Sequence, residues 1–288
     1  MSFNLEEQQY LDLLSKLVKA DPKEDRTGVG THSEFGHQMR FSLRDGQLPL
    51  LTTKKVFVRG VIEELLFFIR GDRDTKALEE KGVKIWTGNT TREFLDKRGL
   101  TDYKEGDMGP MYGVQWRNFG GASQFEGWGV DQLQNAFNLI KNNPTSRRIM
   151  VTALNPQESP LGVLEPCHTF FQFNVHGEHL DCLFYMRSVD TFLGMPFNIA
   201  SYGILTHMMA KATGLKARDL IISTGDTHLY QNHIEQAKEQ ISRKPYPFPT
   251  LKINKEIESV LDMEGLQYGD FEIVDYECHP SIKAEMAV

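Results

Sequence analysis

Apolar residues recur at helical spacing near the start of the chain, where Tyr10, Leu11, Leu14, Leu17 and Val18 fall on one face. Asn4 is a suitable N-cap with Glu7 three residues on, so the pattern predicts a helix over residues 4–19. A second helix is predicted over 58–70, ended by Gly71, and a third over 131–143, stopped by Pro144. The runs 149–154, 169–175 and 180–186 are rich in apolar and aromatic residues and read as strands. His176-Gly177-Glu178-His179 lies between the last two and reads as a hairpin turn. Residues 199–213 are apolar or small on nearly every side and end at Gly214, the pattern of a helix buried in the middle of a protein. The Gly-rich stretch 120–129 reads as a surface loop. Long helices mixed with antiparallel strands predict an α+β fold. No repeat or linker interrupts the pattern, which predicts one domain over residues 1–288.

Composition narrows the class. The 288 residues are 40% hydrophobic and 25% charged, ordinary for a globular protein with room for a buried site. The net charge, 32 − 39 = −7, argues against a nucleic-acid or anionic-membrane partner while permitting a local basic pocket. The most apolar run, 56–69, is broken by Arg59, Glu63 and Glu64, so no membrane-spanning helix is expected. The first residues lack the basic and apolar regions of a secretory signal, and there are three cysteines, Cys167, Cys182 and Cys278. Reduced thiols and a cytoplasmic location are the expectation.

Several residues could carry chemistry. The phosphate-binding G-x-x-x-x-G-K-[ST], H-E-x-x-H and G-x-S-x-G motifs are absent. Arg26-Thr27-Gly28-Val29-Gly30-Thr31 reads as a plain turn unless its arginine meets a ligand. Cys167, His168, His176, His179 and Cys182 invite a zinc reading. If His176 pairs with His179, however, Cys182 lies opposite Phe173, some 20 Å from Cys167 at about 3.3 Å per residue, and no metal is expected. Cys167 follows Pro166 at the start of a strand; it is either inert core or a nucleophile whose pKa cationic neighbours lower. Arg147-Arg148 and Arg187-Ser188-Val189-Asp190 sit at strand ends and could be such neighbours or a solvated face. Asn198 at the mouth of the buried helix is either an N-cap or a reader of a base edge. Asp226, His228 and Tyr230 alternate, so His228 and Tyr230 share one strand face. Glu64, inside an apolar helix, is either exposed or buried with a shifted pKa.

Ordered along the chain, these residues and their neighbours resemble the thymidylate synthase family from about Tyr10 onward. The first half carries Arg26-Thr27-Gly28, Pro49-Leu50-Leu51-Thr52-Thr53-Lys54, Glu64-Leu65-Leu66, Ile85-Trp86, Gly109-Pro110-Met111-Tyr112-Gly113 and Gln115-Trp116-Arg117. The second half carries Arg147-Arg148, Pro166-Cys167-His168, Arg187-Ser188-Val189-Asp190, the segment from Pro196 through Asn198 to Tyr202, Gly225-Asp226-Thr227-His228-Leu229-Tyr230 and Ala287-Val288. The resemblance implies a homodimer whose interface is formed by a large mixed sheet packed by helices. It implies methylation of dUMP with 5,10-methylenetetrahydrofolate as cosubstrate. Cys167 would be the nucleophile, with Glu64, Tyr112 and Asp190 also in the catalytic set. Arg26, Arg187 and Ser188 would hold the nucleotide phosphate, joined across the interface by Arg147 and Arg148. Asn198 would read the uracil edge, His228 and Tyr230 the deoxyribose, and Asp190 would also belong to the substrate contacts. Trp86, Asp190, Leu193, Phe197 and Ala287 would line the folate site.

Phe67, Leu154, Glu165 and Met186 stand where the family often has Trp, Trp, Pro and Gln. Glu165 bears most directly on the chemistry, because a negative charge beside a thiol opposes the thiolate. Two other activities fit much of the same pattern: a pyrimidine-nucleotide hydroxymethylase, in which water quenches the intermediate, and an inactive nucleotide-binding homologue. Trp86 favours methylation over the first, since a bulky aromatic can shield that intermediate. The intact cysteine and arginine set speaks against the second.

Overall fold

The computed structural model describes residues 4–25, 27–122 and 128–286. Its strands in chain order are β1 (Pro22–Lys23), β2 (Thr31–Ser42), β3 (Met150–Thr152), β4 (His168–His176), β5 (His179–Asp190), β6 (Lys216–Tyr230), β7 (Thr250–Ile253) and β8 (Phe271–Val274). The helices are α1 (Leu5–Val18), α2 (Val58–Arg70), α3 (Lys76–Glu79), α4 (Arg92–Lys97), α5 (Gly113–Asn118), α6 (Gln132–Asn142), α7 (Gly194–Thr213), α8 (Ile234–Ile241) and α9 (Val260–Glu264). Six strands form one sheet in the order β1-β2-β6-β5-β4-β3, and β7 pairs with β8 in a second. Within the large sheet β5 and β6 run parallel and the other neighbours antiparallel. The fold is therefore α+β, as the pattern of the chain predicts, and its sheet is mixed, as the family resemblance implies.

Alternation explains how the sheet is covered. Along β5, Leu180, Cys182, Phe184 and Met186 are buried while Leu183, Tyr185 and Arg187 are half-buried. The buried set meets α7, which packs on both β5 and β6. Because α7 is surrounded by sheet and helices, it is apolar on nearly all sides, and Gly214 ends it in the left-handed conformation at φ 73°. It begins at Gly194, five residues earlier than the apolar pattern suggested, so Asn198 lies in its second turn and is not an N-cap. Pro196 is tolerated there because first-turn N–H groups have no partner within the helix.

The predicted hairpin forms with the expected register: His176 faces His179 and Phe173 faces Cys182. Helix α2 spans the predicted residues and ends at Gly71 with φ 71°. Strand β3 is shorter than the apolar run around it, and β2 was not foreseen because polar residues occupy much of its length. Asn4 caps α1 by accepting from the N–H groups of Glu6 and Glu7. Glu7 does not reach back to complete a capping box. Its carboxylate is buried and accepts from the backbone and hydroxyl groups of Thr52 and Thr53. The loop expected at 120–129 is spanned by a bridge between Phe119 and Val130, and residues 123–127 lie outside the described ones.

One close approach fixes the geometry of the functional region. Helix α5 starts against the end of α2, and a Cβ added to Gly113 would sit 2.6 Å from the Cα of Phe68. Tyr112, immediately before it, takes φ 31° and ψ −93°, a strained backbone for a non-glycine residue. We expect Gly113→Ala to destabilise the protein by about 2–4 kcal/mol through backbone overlap. Thermal unfolding would reveal the loss, and an unchanged Tm would show that α5 can shift freely.

Candidate active site

Cys167 sits just before β4, where the antiparallel neighbour β5 reaches Arg187. The backbone N–H of Arg187 donates to the Cys167 carbonyl at 2.9 Å. The Arg187 guanidinium turns back along the chain and donates to the carbonyls of Pro166 at 2.9 Å and Glu165 at 2.8 Å. This cation therefore braces the turn that carries the half-buried thiol. Glu165 takes part through its carbonyl, and its residue is exposed.

Tyr112 closes the other side. Its hydroxyl accepts from the Cys167 backbone N–H at 3.0 Å. The ring is buried and stacks on His168, with centroids 3.9 Å apart and planes 11° from parallel. Burial, with the nearby Cys167 second, holds the Tyr112 phenol well above its ordinary range. His168 follows Cys167 and so points to the opposite face, into the protein, where its Nδ1 meets the Tyr202 hydroxyl at 2.8 Å. Burial lowers its imidazole to about 3, which leaves it neutral. In the sequence His168 has no role beyond the metal set and the Pro166-Cys167-His168 match. Its position after Cys167 on a strand was the available signal that it supports Tyr112 from behind.

Glu64, on α2, accepts from the Trp86 indole N–H at 2.8 Å, and the Trp86 ring lies 5.9 Å from Tyr112. Burial pushes the Glu64 carboxyl up to about 7, and the indole bond only partly opposes it. Glu64 is half-buried, so of its two readings the one with a shifted carboxyl holds, although the side chain is not wholly enclosed. Cys182, by contrast, is fully buried under α7, and burial raises its thiol to about 12.

The remaining residues gather at the same end of the sheet. Ser188 lies beside Asp226, and Asp190 beside His228, across the parallel β5–β6 pair. Asp190 accepts from the N–H groups of Phe192 at 2.9 Å and Leu193 at 3.2 Å, which turns the chain into α7. That turn sets Leu193, Phe197 and Asn198, all half-buried, above the strand ends. His228 and Tyr230 share a strand face as expected, with rings 5.1 Å apart. The His228 Nδ1 lies 2.9 Å from the Asp226 carboxylate, which can only accept, so its hydrogen sits on Nδ1 and leaves Nε2 as the other donor or acceptor site.

Two arginines are not brought here. The Phe173 N–H donates to the Ile149 carbonyl at 2.9 Å and the Gln172 side-chain amide to the Arg147 carbonyl at 3.4 Å, which places these arginines beside Gln172 and Phe173, five to six residues along β4 from Cys167. At about 3.3 Å per residue that is roughly 20 Å. Arg147 and Arg148 are exposed and have no ion-pair partner among the described residues. Arg26 and Ala287 lie outside the described residues. Asp25, next to Arg26, shapes the loop by accepting from Thr27 and Gly30.

A half-buried thiol beside a buried phenol, a carboxyl near neutrality and an indole is an arrangement capable of covalent and acid–base chemistry. Among the described residues no group of three or more His, Cys, Asp or Glu is placed to hold a metal, and no helix is long and apolar enough to cross a membrane.

Residues 8–288 match the family model described as thymidylate synthase. The bifunctional dihydrofolate reductase-thymidylate synthase of Leishmania major is 51% identical over 293 residues, covering 99% of this chain and 56% of that protein. Thymidylate synthase of Homo sapiens is 51% identical over 288 residues, covering 98% of this chain and 91% of the relative. Thymidylate synthase of Saccharomyces cerevisiae is 48% identical over 301 residues, covering 99% and 98%. The chain thus spans 56% of the length of the bifunctional Leishmania relatives and nearly all of the monofunctional ones.

We expect Glu64 to titrate with a midpoint near 7 in carboxyl-resolved NMR or infrared spectra. Trp86→Phe removes the donor that favours the carboxylate and moves the midpoint upward. Because the folded pKa exceeds the ordinary glutamate value of 4.5, stability falls as pH rises from about 4.5 to 7, and Glu64→Gln flattens that slope. A wild-type midpoint near 4.5 would contradict the shift of this half-buried group.

Proposed function

The chain belongs to the thymidylate synthase family, and from that membership we propose that it methylates dUMP reductively to dTMP. In this reading 5,10-methylenetetrahydrofolate supplies the carbon and the hydride and leaves as dihydrofolate. The observation that carries the residue assignments is the placement of Cys167 between the Arg187 brace and the Tyr112 hydroxyl.

The chemistry follows from what each residue can do. C5 of uracil is a weak nucleophile. Cys167, as a thiolate, adds to C6 and pushes charge through C5 and C4 to O4, so C5 can take up the one-carbon unit. Glu64, with its carboxyl near 7, exchanges a proton with O4 through water. Tyr112 helps to remove the C5 proton, after which elimination releases Cys167. Asn198 reads the uracil edge, accepting from N3 and donating to O4. Arg187, Ser188 and Arg26 hold the phosphate dianion, and His228 and Tyr230 the sugar. Asp190 is assigned to both substrates and to the catalytic set. Trp86, Leu193, Phe197 and Ala287 line the folate site. Half-buried apolar edges beside the Glu64 and Asp190 carboxyls suit a heteroaromatic ring with N–H groups, and Trp86 shields the last step from water.

The reading extends to the assembly. Phe170, Leu183 and Tyr185 are half-buried on the sheet face away from α7, and the Phe170 and Tyr185 rings stack across β4 and β5. Such an apolar sheet face supports a homodimer packed sheet to sheet. Arg147 and Arg148, remote from Cys167 of their own chain, would then serve the phosphate of the partner. The protein acts as one catalytic domain over residues 1–288, in the cytoplasm, where Cys167 stays reduced.

The test mixes the protein with dUMP and methylenetetrahydrofolate and follows dihydrofolate absorbance. Dihydrofolate forms with wild type, and Cys167→Ser loses roughly a thousandfold or more in kcat while binding dUMP, because serine is hardly ionised at neutral pH. Hydroxymethylated product without dihydrofolate, or no turnover, would overturn the proposal. Near-normal turnover by Cys167→Ser would remove that residue from the mechanism.

A further inference from the structure

His233 ends the short 3-10 turn, Gln231–His233, that follows β6. Its residue is 0% exposed. Nε2 lies 2.6 Å from the carbonyl oxygen of Glu285 in the C-terminal segment. A carbonyl only accepts, so the ring hydrogen in this bond sits on Nε2. Nδ1 is buried and has no hydrogen-bond partner among the described residues. The ring also packs against Tyr230, with centroids 5.9 Å apart, and against Phe192 at 5.5 Å. One buried side chain thus touches the end of β6, the turn into α7 and the C-terminal segment.

That segment needs an anchor. Residues 275–286 form no helix or strand. As far as Pro280 they are tied by the His279 N–H to the Thr52 carbonyl at 2.7 Å and by Arg243 to the Pro280 carbonyl at 2.7 Å. Over 281–286 the His233 bond is the one hydrogen bond to the rest of the protein among the described residues, with Ile282 and Ala284 packed against the core. The turn that His233 touches is itself held from behind: Tyr10 donates to the Thr191 carbonyl at 3.0 Å and Lys54 donates to the Phe192 carbonyl. The fixed body therefore ends at Phe192 and Tyr230, and His233 is its polar link to the tail.

We propose that His233 is a positioning residue that latches the C-terminal segment onto the end of β6 and the turn before α7, and so sets the folate-side wall of the site. The idea rests on the proposed role of the C-terminal segment in lining the folate site. Losing the latch frees residues 281–286 without changing any group assigned to the nucleotide. His233→Phe keeps the ring packing and removes the donor. His233→Gln places an amide N–H at about the reach of Nε2 and restores the bond.

Limited tryptic digestion of the ligand-free protein, with cleavage after the exposed Lys283 read by mass spectrometry, tests the latch without any turnover. We expect cleavage at Lys283 to be about tenfold faster in His233→Phe than in wild type, and largely restored in His233→Gln. Steady-state kinetics with the same proteins should show the folate KM raised about five- to tenfold in His233→Phe, with dUMP binding within about twofold of wild type and recovery in His233→Gln. Unchanged cleavage at Lys283 in His233→Phe would overturn the latch. Faster cleavage with dUMP and folate weakened alike, and no rescue by Gln, would reduce His233 to general packing and overturn the positioning role. A wild-type protein that makes no dihydrofolate would instead sink the proposed reaction and leave the digestion result to decide the latch.

Discussion

Two parallel strands side by side cannot be joined by a tight turn, and β5 and β6 are such a pair. The chain must leave the end of β5, cross the sheet and return to the start of β6. The crossing is α7, which lies on both strands it connects. This requirement puts the N-terminal turns of α7 over the carboxyl ends of β5 and β6, where open sheets tend to bind ligands. Asp190, Leu193, Phe197, Asn198, His228 and Tyr230 all fall there. The antiparallel neighbour β4 begins where β5 ends, so Cys167 is delivered to the same place. One topological constraint thus gathers residues spread over more than sixty positions of chain.

The polar groups at that end are arranged by burial as much as by pairing. Burial there holds His168 neutral at about 3 and raises Glu64 to about 7. Acid–base groups poised differently by one environment are what a reaction with several proton transfers requires. The cost is carried by the backbone: Tyr112 is held at a positive φ by the close contact of Gly113 with Phe68. Arg187 illustrates a second economy. Its guanidinium stiffens the turn before Cys167, and in the proposed reaction the same cation faces the phosphate.

Much of this was legible along the chain, for physical reasons. Helices α2 and α7 stand out because a one-sided or all-round apolar pattern records how each is buried. The β4–β5 hairpin could be set in register from its turn alone, and that register separates Cys167 from Cys182. Strand β2 was missed because its neighbours, not its own polar residues, make it a strand. The apolar pattern marks the start of α7 five residues late because Gly194, Pro196 and Asn198 interrupt it before Ile199, and no side chain caps the helix at Leu193. The Glu64–Trp86 bond and the Tyr112–His168 stack join distant segments, so their residues could be named by resemblance but not joined by spacing.

The central claim is that the carboxyl ends of β5 and β6, with the start of β4, form one nucleotide site that a partner subunit completes. A crystal structure of the protein with dUMP tests it most directly. The account predicts uracil C6 within about 3–3.5 Å of the Cys167 Sγ, or already bonded to it. It also predicts the phosphate between Arg187 and Ser188 of one protomer and Arg147 and Arg148 of the other. A nucleotide bound away from Cys167, or a phosphate held by the arginines of one chain alone, would contradict it.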